Sequence, residues 1–172
     1  KGGYGLHDHY RYPFSLKDNG KWEIIIVQGH SKEALTGHGK ELFFSSARIL
    51  KKKITSAGAR MLLFMTWAYW GDASMINEIK NSYLKIGNEL GVQVVPVGLS
   101  FSRVSEKYSH INLYSDERHP SNKGTYLAAC VFFAALFRRT PEGSGFFGSI
   151  DPDQAQILQR SAWSTVRKFY SW

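Results

Sequence analysis

Apolar residues follow two alternating patterns along this chain. Continuous runs rich in β-branched and other apolar residues predict buried strands at residues 22–27, 60–66 and 92–97. Elsewhere, apolar positions recur at spacings of three and four, which predicts amphipathic helices. The predicted helices cover residues 39–56, 76–90, 121–137 and 151–169, and the predicted loops cover 1–19 and 100–115.

This alternation of strands and helices predicts an α/β fold, with a parallel sheet, helices on both of its faces and right-handed crossovers. Pro96 lacks the N–H that a neighbouring strand would need, so the strand at 92–97 is expected at a sheet edge. At 172 residues the chain has the length of about one domain.

Polar and aromatic residues follow the predicted strands. In a parallel sheet the ligand lies beyond the carboxyl ends of the strands. Here those ends are residues 28–31, residues 66–69 and the loop that holds Asp116 and His119. We therefore expect these three segments to converge on one rim of the sheet.

Asp116 and His119 stand three residues apart, followed by the stiff Pro120 and by Ser121 or Asn122 as a helix cap. This spacing lets the carboxylate bond one imidazole nitrogen, fix the tautomer and leave the other nitrogen free to take a proton. An aspartate that caps a turn beside a surface histidine has the same spacing, but the position at the expected rim favours a site.

Two further groups lie on the same rim. His30 follows the first strand and either contacts a substrate or is a plain loop histidine. Trp67, Tyr69 and Trp70 follow the second strand and either line a pocket suited to a sugar ring or acyl group, or close the core.

Other chemistry is not supported by the residue patterns. His7, Asp8 and His9 lack a third ligand at a diagnostic spacing, so an exposed polar turn is expected and no metal site is predicted. Cys130 is the single cysteine and lies within an apolar helix, which predicts a buried thiol and excludes an internal disulfide.

Basic residues outnumber acidic ones by 22 to 14, so the surface should favour an anionic partner such as acidic polysaccharide, a phosphorylated ligand or nucleic acid. The basic run 51–53 is expected on the solvated face of a helix. The longest apolar run, 127–137, is shorter than the ~20 residues that cross a bilayer. These features predict a soluble protein, either cytoplasmic or secreted with its signal removed.

Several ordered segments carry a family resemblance from Gly2 nearly to Phe169. They are GGYGLHDH, KWEIIIVQGHS, LLFMTWAYW, IGNELGVQVVPVGLSF and LYSDERHPSNKGTYLAACVFFAALF. Together they are similar to the SGNH (GDSL-type) hydrolase superfamily. The resemblance implies a three-layer α/β/α sandwich around a flavodoxin-like parallel sheet.

The resemblance also implies an activity, namely ester hydrolysis by a serine hydrolase through an acyl-enzyme. It makes His119 the general base and Asp116 its orienting partner. The backbone N–H of Gly3 and the side-chain amide of Gln28 become the implied oxyanion donors. The implied substrate is a small ester or an acetylated carbohydrate, and this chemistry needs no cofactor.

The superfamily's first block, a Gly-Asp/Asn-Ser triplet that carries the nucleophile, should lie upstream of Gly2, and this sequence starts at Lys1. We therefore expect residues 1–172 to be a truncated single domain that lacks the first one or two strands. An N-terminal segment or a second chain would supply those strands and the serine. A sheet without them would expose an unpaired edge and apolar helix faces.

Neither serine near the expected rim lies in a nucleophile elbow. Ser31 is predicted to be a hydrogen-bonding loop residue, and Ser121 a helix cap. The alternative function is a non-catalytic domain of the same fold that binds an anionic glycan or nucleic acid, with nucleic acid the less favoured partner.

Overall fold

The computed structural model describes Leu6 and residues 22–30, 32–35 and 37–172. Three strands and five helices lie within these residues. In chain order they are β1 (Ile24–Val27), α1 (Gly37–Ser56), β2 (Arg60–Phe64), α2 (Met75–Leu90), β3 (Gln93–Val95), α3 (Val97–Lys107), α4 (Asn122–Phe137) and α5 (Pro152–Tyr170).

The chain divides into two compact units. The first unit consists of the described part of Lys1–Thr66 together with Asn77–Val94, and the second consists of Trp67–Ile76 together with Val95–Trp172. The prediction of one domain over the whole chain stays a prediction.

The sheet of the first unit is parallel, with the order β1-β2-β3. β1 and β2 pair in register from Ile24 opposite Arg60 to Val27 opposite Leu63. The predicted edge position of the third strand is confirmed, because β3 lies at one end of this order and stops directly before Pro96.

The helices of the first unit bury the stripes that their periodicity predicted. On α1 and α2 the buried side chains include Phe43, Ala47, Ile54, Ile79, Tyr83 and Ile86. β1 differs from expectation, because Ile26 is 47% exposed whereas its neighbour Val27 is buried. The prediction that this strand is buried was wrong for the face that carries Ile26. A β-branched run reflects strand propensity as well as burial, and here the two faces differ.

The second unit is built on α3, α4 and α5, which pack against one another. α3 corrects the predicted loop at 100–115. Val97, Phe101 and Val104 are buried at spacings of four and three, which is the pattern of a helix. The serines between them hide this stripe in the sequence, and the strand predicted to run to residue 97 ends instead at Val95.

α4 is apolar around most of its circumference. Cys130 is buried as predicted, and burial raises the pKa of its thiol to about 11. Phe133 and Phe137 are 39% and 62% exposed, so part of the apolar surface of this helix is uncovered. Among the helices that the structure describes, none is long and apolar enough to cross a membrane.

Gly124 allows the first turn of α4 to lie directly against the preceding loop. A methyl group at this position would overlap the carbonyl oxygen of Leu113 and lie 3.0 Å from the Phe101 ring and 3.1 Å from Pro120. Because the closest atom belongs to the backbone, no side chain can move aside to relieve this overlap.

We expect Gly124→Ala to lower the free energy of unfolding by about 1–3 kcal/mol, because overpacking outweighs the gain of about 1 kcal/mol in helix propensity. Urea denaturation measures this change. The matched control is Gly145→Ala, where nothing lies within 4 Å of the added methyl and the change should stay within about 0.5 kcal/mol. Equal stability of the two variants would contradict the role of Gly124.

Candidate active site

Three N–H groups of one short loop hold the Asp116 carboxylate. Its Oδ1 accepts the backbone N–H of Arg118 at 2.7 Å and that of His119 at 2.8 Å. Its Oδ2 lies 2.7 Å from His119 Nδ1. An ionised carboxylate only accepts hydrogen bonds, so Nδ1 carries the proton and Nε2 is the free acceptor of the neutral ring. The predicted contact between the two side chains is confirmed.

Backbone hydrogen bonds close this loop at its base. The N–H of Ser115 donates to the carbonyl of His119 at 2.9 Å, and the N–H of Ser121 donates to that of Leu113 at 2.8 Å. Tyr114 and Pro120 form an antiparallel bridge between these two bonds. His119 therefore lies at the end of a closed turn that leads directly into α4.

Ser121 is the helix cap that its position predicted. Its hydroxyl accepts the N–H of Gly124 at 3.3 Å and donates to the carbonyl of Asn112 at 3.0 Å. Both functions of the hydroxyl are thus used in holding the start of α4, as expected for a cap.

The segment 67–70 is bonded to the same loop. The indole N–H of Trp67 donates to the carbonyl of Arg118 at 2.9 Å, and the backbone N–H of Trp70 donates to that of Glu117 at 2.9 Å. The Arg118 guanidinium lies 5.3 Å from the centre of the Tyr69 ring. The loop between Asp116 and His119 is therefore positioned from outside as well as from within.

The sequence left open whether the aromatic residues of this segment line a pocket or close the core. The structure shows that they differ in this respect. Trp67 is 8% exposed and stacks on Phe101 with ring centres 4.6 Å apart, so it closes the core. Tyr69 and Trp70 instead line a hollow of about 270 Å³. Trp70 is 67% exposed, so its ring is open to a ligand.

The hollow combines aromatic walls with hydrogen-bonding groups. Its lining consists of Ala68, Tyr69, Trp70, Gly71, Ala73, Ser102, Ser105, Glu106 and Tyr114. The Ser102 hydroxyl donates to the Glu106 carboxylate at 2.8 Å. The Tyr114 hydroxyl donates to the carbonyl of Ala68 at 2.8 Å, and burial raises the pKa of this phenol to about 12.

The first unit contains two of the predicted site residues, Gln28 and His30, both exposed in the turn after β1. The backbone of this turn is held by two buried side chains. The Glu33 carboxylate accepts the N–H of His30 at 2.9 Å, and the Tyr83 hydroxyl accepts the N–H of Gly29 at 3.3 Å. Burial raises the pKa of Tyr83 to about 12, so this phenol stays neutral.

The sequence prediction missed the roles of Glu33 and Tyr83. For Tyr83 a signal existed, since a tyrosine on the buried stripe of a helix needs a partner for its hydroxyl. Glu33 gave no comparable signal.

Gly3, Ser31 and the segment His7-Asp8-His9 lie outside the described residues. Within the described part of the chain, no group of three or more His, Cys, Asp or Glu side chains is arranged to hold a metal ion. The structure brings Trp67, Tyr69, Asp116 and His119 together in the second unit. Their convergence with Gln28 and His30 stays a prediction.

The hydrogen bonds to Asp116 have a measurable consequence. The backbone N–H groups of His119 and Arg118, together with the His119 ring, lower the pKa of this carboxyl to about 2. Its ordinary value is about 3.9, so the ionised form stabilises the folded loop fully above roughly pH 4, and this contribution is lost as the pH falls towards 2. Carbon-13 NMR titration of the carboxyl groups should give Asp116 a midpoint near 2.

In His119→Ala the midpoint of Asp116 should rise yet stay below about 3.9, because the two backbone donors remain. A midpoint near the ordinary value in the unmodified protein would show that the loop is not closed as described.

Comparison with known proteins supports the fold. No protein-family pattern and no curated protein matches this chain. A DUF4886 family protein from Bacteroides uniformis superposes with a TM-score of 0.70 at 22% identity, over 91% of this chain and 66% of that protein. A proposed SGNH hydrolase from Slackia heliotrinireducens superposes with a TM-score of 0.62 at 23% identity, over 76% of this chain and 78% of that protein.

This chain spans slightly less than two thirds of the length of the Bacteroides protein. At these identities the likeness concerns the path of the backbone. The chain has an SGNH-like α/β fold.

Proposed function

We propose that the protein containing this chain is a serine esterase that works through an acyl-enzyme. The observation that carries the proposal is the contact of 2.7 Å between Asp116 Oδ2 and His119 Nδ1, in a chain with an SGNH-like fold. This contact leaves Nε2 as the proton acceptor, and the His119 side chain is 74% exposed, so Nε2 is accessible to a reacting group.

In the proposed reaction, His119 Nε2 takes the hydroxyl proton of the serine expected from the family's first block as the serine oxygen attacks the ester carbonyl. The imidazolium returns this proton to the leaving alcohol, and an acyl-enzyme remains. Water, activated by the same nitrogen, then releases the acid. Asp116 stabilises the imidazolium at each step and remains ionised throughout.

Two groups are proposed to bind the oxyanion of the tetrahedral intermediate, namely the backbone N–H of Gly3 and the amide of Gln28. A donor in this role typically contributes about 3 kcal/mol to the transition state. Support for Gln28 comes from the turn that carries it, which is anchored through Gly29 and His30 by buried partners.

The proposed substrate is an acetylated carbohydrate. The hollow beside the loop offers the exposed Trp70 ring and the Tyr69 ring as stacking surfaces, with Glu106 as an acceptor for sugar hydroxyls. Its volume of about 270 Å³ is just below the range of about 300–1,000 Å³ for drug-sized ligands, which suits a single ring. No cofactor takes part in this reaction.

The intact protein should hydrolyse p-nitrophenyl acetate, and His119→Ala should reduce kcat by at least about 10³-fold because the general base is lost. Asp116→Asn should reduce kcat by up to about 10⁴-fold, since the amide favours the wrong tautomer. Stopped-flow and steady-state absorbance assays measure both effects.

His110→Ala is the matched control, because His110 is exposed and the one contact of its ring with a described residue is an edge contact with Tyr108. Its kcat should equal that of the unmodified protein within about twofold. Activity retained in His119→Ala would refute the assignment of the base.

The hollow lined by Tyr69 and Trp70 is proposed to bind the sugar, so a substitution there should change KM more than kcat. Trp70→Ala should raise KM for an acetylated xylo-oligosaccharide about threefold to tenfold, corresponding to roughly 1 kcal/mol, and leave kcat within about twofold. KM for p-nitrophenyl acetate should not change, because this substrate has no sugar ring.

Trp22→Ala provides the control, since Trp22 is also a highly exposed tryptophan, at 58%, and belongs to the first unit. An equal effect of Trp22→Ala and Trp70→Ala on KM would argue against the pocket.

A further inference from the structure

One face of α5 lines a long groove. This helix lies later in the sequence than the loop of Asp116 and His119. Two adjoining hollows of about 510 and 700 Å³ share Glu142 and Arg160. The residues of α5 and its C-cap that line them recur every three or four positions, namely Pro152, Ala155, Gln156, Gln159, Arg160, Trp163, Ser164, Arg167, Lys168 and Ser171. We call this feature the α5 groove.

The α5 groove is long enough for a polymer. α5 has 19 residues, so it extends about 28 Å at about 1.5 Å per residue. Because the lining positions fall on one helical stripe from the first turn to the C-cap, the groove follows nearly the whole helix. A ligand that filled it would be an extended chain rather than a single ring.

The two halves of the groove differ in chemistry. The half near the start of α5 is lined by the segment 143–145 and by Gln159, whose amide is already bonded to Gly143 and Ser144. The other half carries three cations, Arg160, Arg167 and Lys168. None of these three forms an ion pair with a side-chain carboxylate of the described residues.

Aromatic rings hold the guanidinium groups at the cationic end. Arg167 lies 5.8 Å from the centre of the Trp163 ring, and Arg138 lies 5.2 Å from that of Trp172. The Nε–H of Arg167 also donates to the carbonyl of Trp172 at 3.3 Å. Guanidinium groups fixed in this way lose less side-chain entropy when they bind an anion.

We propose that the α5 groove binds an acidic polysaccharide, whose carboxylate or sulfate groups pair with Arg160, Arg167 and Lys168. The neutral half of the groove then faces the hydroxyl-bearing part of the chain. This binding does not depend on ester hydrolysis, and it would anchor a polymeric substrate if the esterase proposal holds.

The geometry favours a polysaccharide over single-stranded nucleic acid. Binding of single strands relies on aromatic faces that are free to stack on bases. Trp172 has Tyr170 stacked at 4.7 Å on its ring and Arg138 over it as well, so this ring is not free for a base.

The test measures the anisotropy of fluorescein-labelled polygalacturonate and of labelled dextran sulfate with the full protein at about 0.15 M salt. Binding should weaken at least about tenfold when Arg160, Arg167 and Lys168 are all changed to glutamine. When the dextran sulfate is matched to polygalacturonate in charge per sugar, the polymer that binds more tightly identifies the anionic group as carboxylate or sulfate. Neutral dextran should not bind.

The matched control changes Lys51, Lys52 and Lys53 to glutamine, which removes the same charge from α1. This control should bind within about twofold of the unmodified protein. Equal weakening in both triple variants would show attraction by net charge alone and would overturn the site. Tighter binding of single-stranded DNA or polyglutamate, with the same sensitivity to the groove variant, would overturn the polysaccharide assignment.

Two single variants keep the test valid if the groove triple variant loses stability. Arg160→Gln removes a cation that makes no hydrogen bond to a described residue, and it should weaken binding about threefold. Glu142→Gln removes the carboxylate of the groove and should strengthen binding about twofold, because repulsion of the polyanion falls. If neither variant changed the affinity for the polymer, the proposal would be overturned.

Discussion

The candidate site depends on one electrostatic interaction, in which an ionised carboxylate binds donors of its own short loop. Asp116 does so with two backbone N–H groups and one imidazole nitrogen, all within three residues of it. These bonds close the turn and select the tautomer of His119 in a single arrangement. The loop is exposed to solvent, so the segment 67–70 adds outside support through main-chain carbonyls.

The parts of this structure that were predictable from sequence are those that depend on local spacing. The contact between Asp116 and His119, the Ser121 cap and the stripes of α1 and α2 all follow from residues three or four positions apart. α3 was missed because serines alternate with its apolar residues and because Pro96 and Val97 were assigned to the preceding edge strand.

Other features depend on contacts between distant residues and could not be derived from spacing. The bond from Gly29 to the Tyr83 hydroxyl joins positions 54 residues apart. The exposure of Ile26 depends on what covers β1 rather than on the residues of β1 itself. The α5 groove likewise needs the segment 142–147 to fold over a helix whose stripe alone indicates only an apolar and basic face.

The bonds that attach the loop to the segment 67–70 use the carbonyls of Glu117 and Arg118 rather than their side chains. The side chain of Glu117 can therefore change without loss of the hydrogen bond that its carbonyl accepts, and this exposed residue lies between Asp116 and His119 in the sequence. A change of side chain at this position would thus alter the surface beside His119 while the hydrogen-bonded loop is preserved. In this loop, the side chains that form the contact between Asp116 and His119 are thus distinct from the side chain at residue 117, which can change without breaking it.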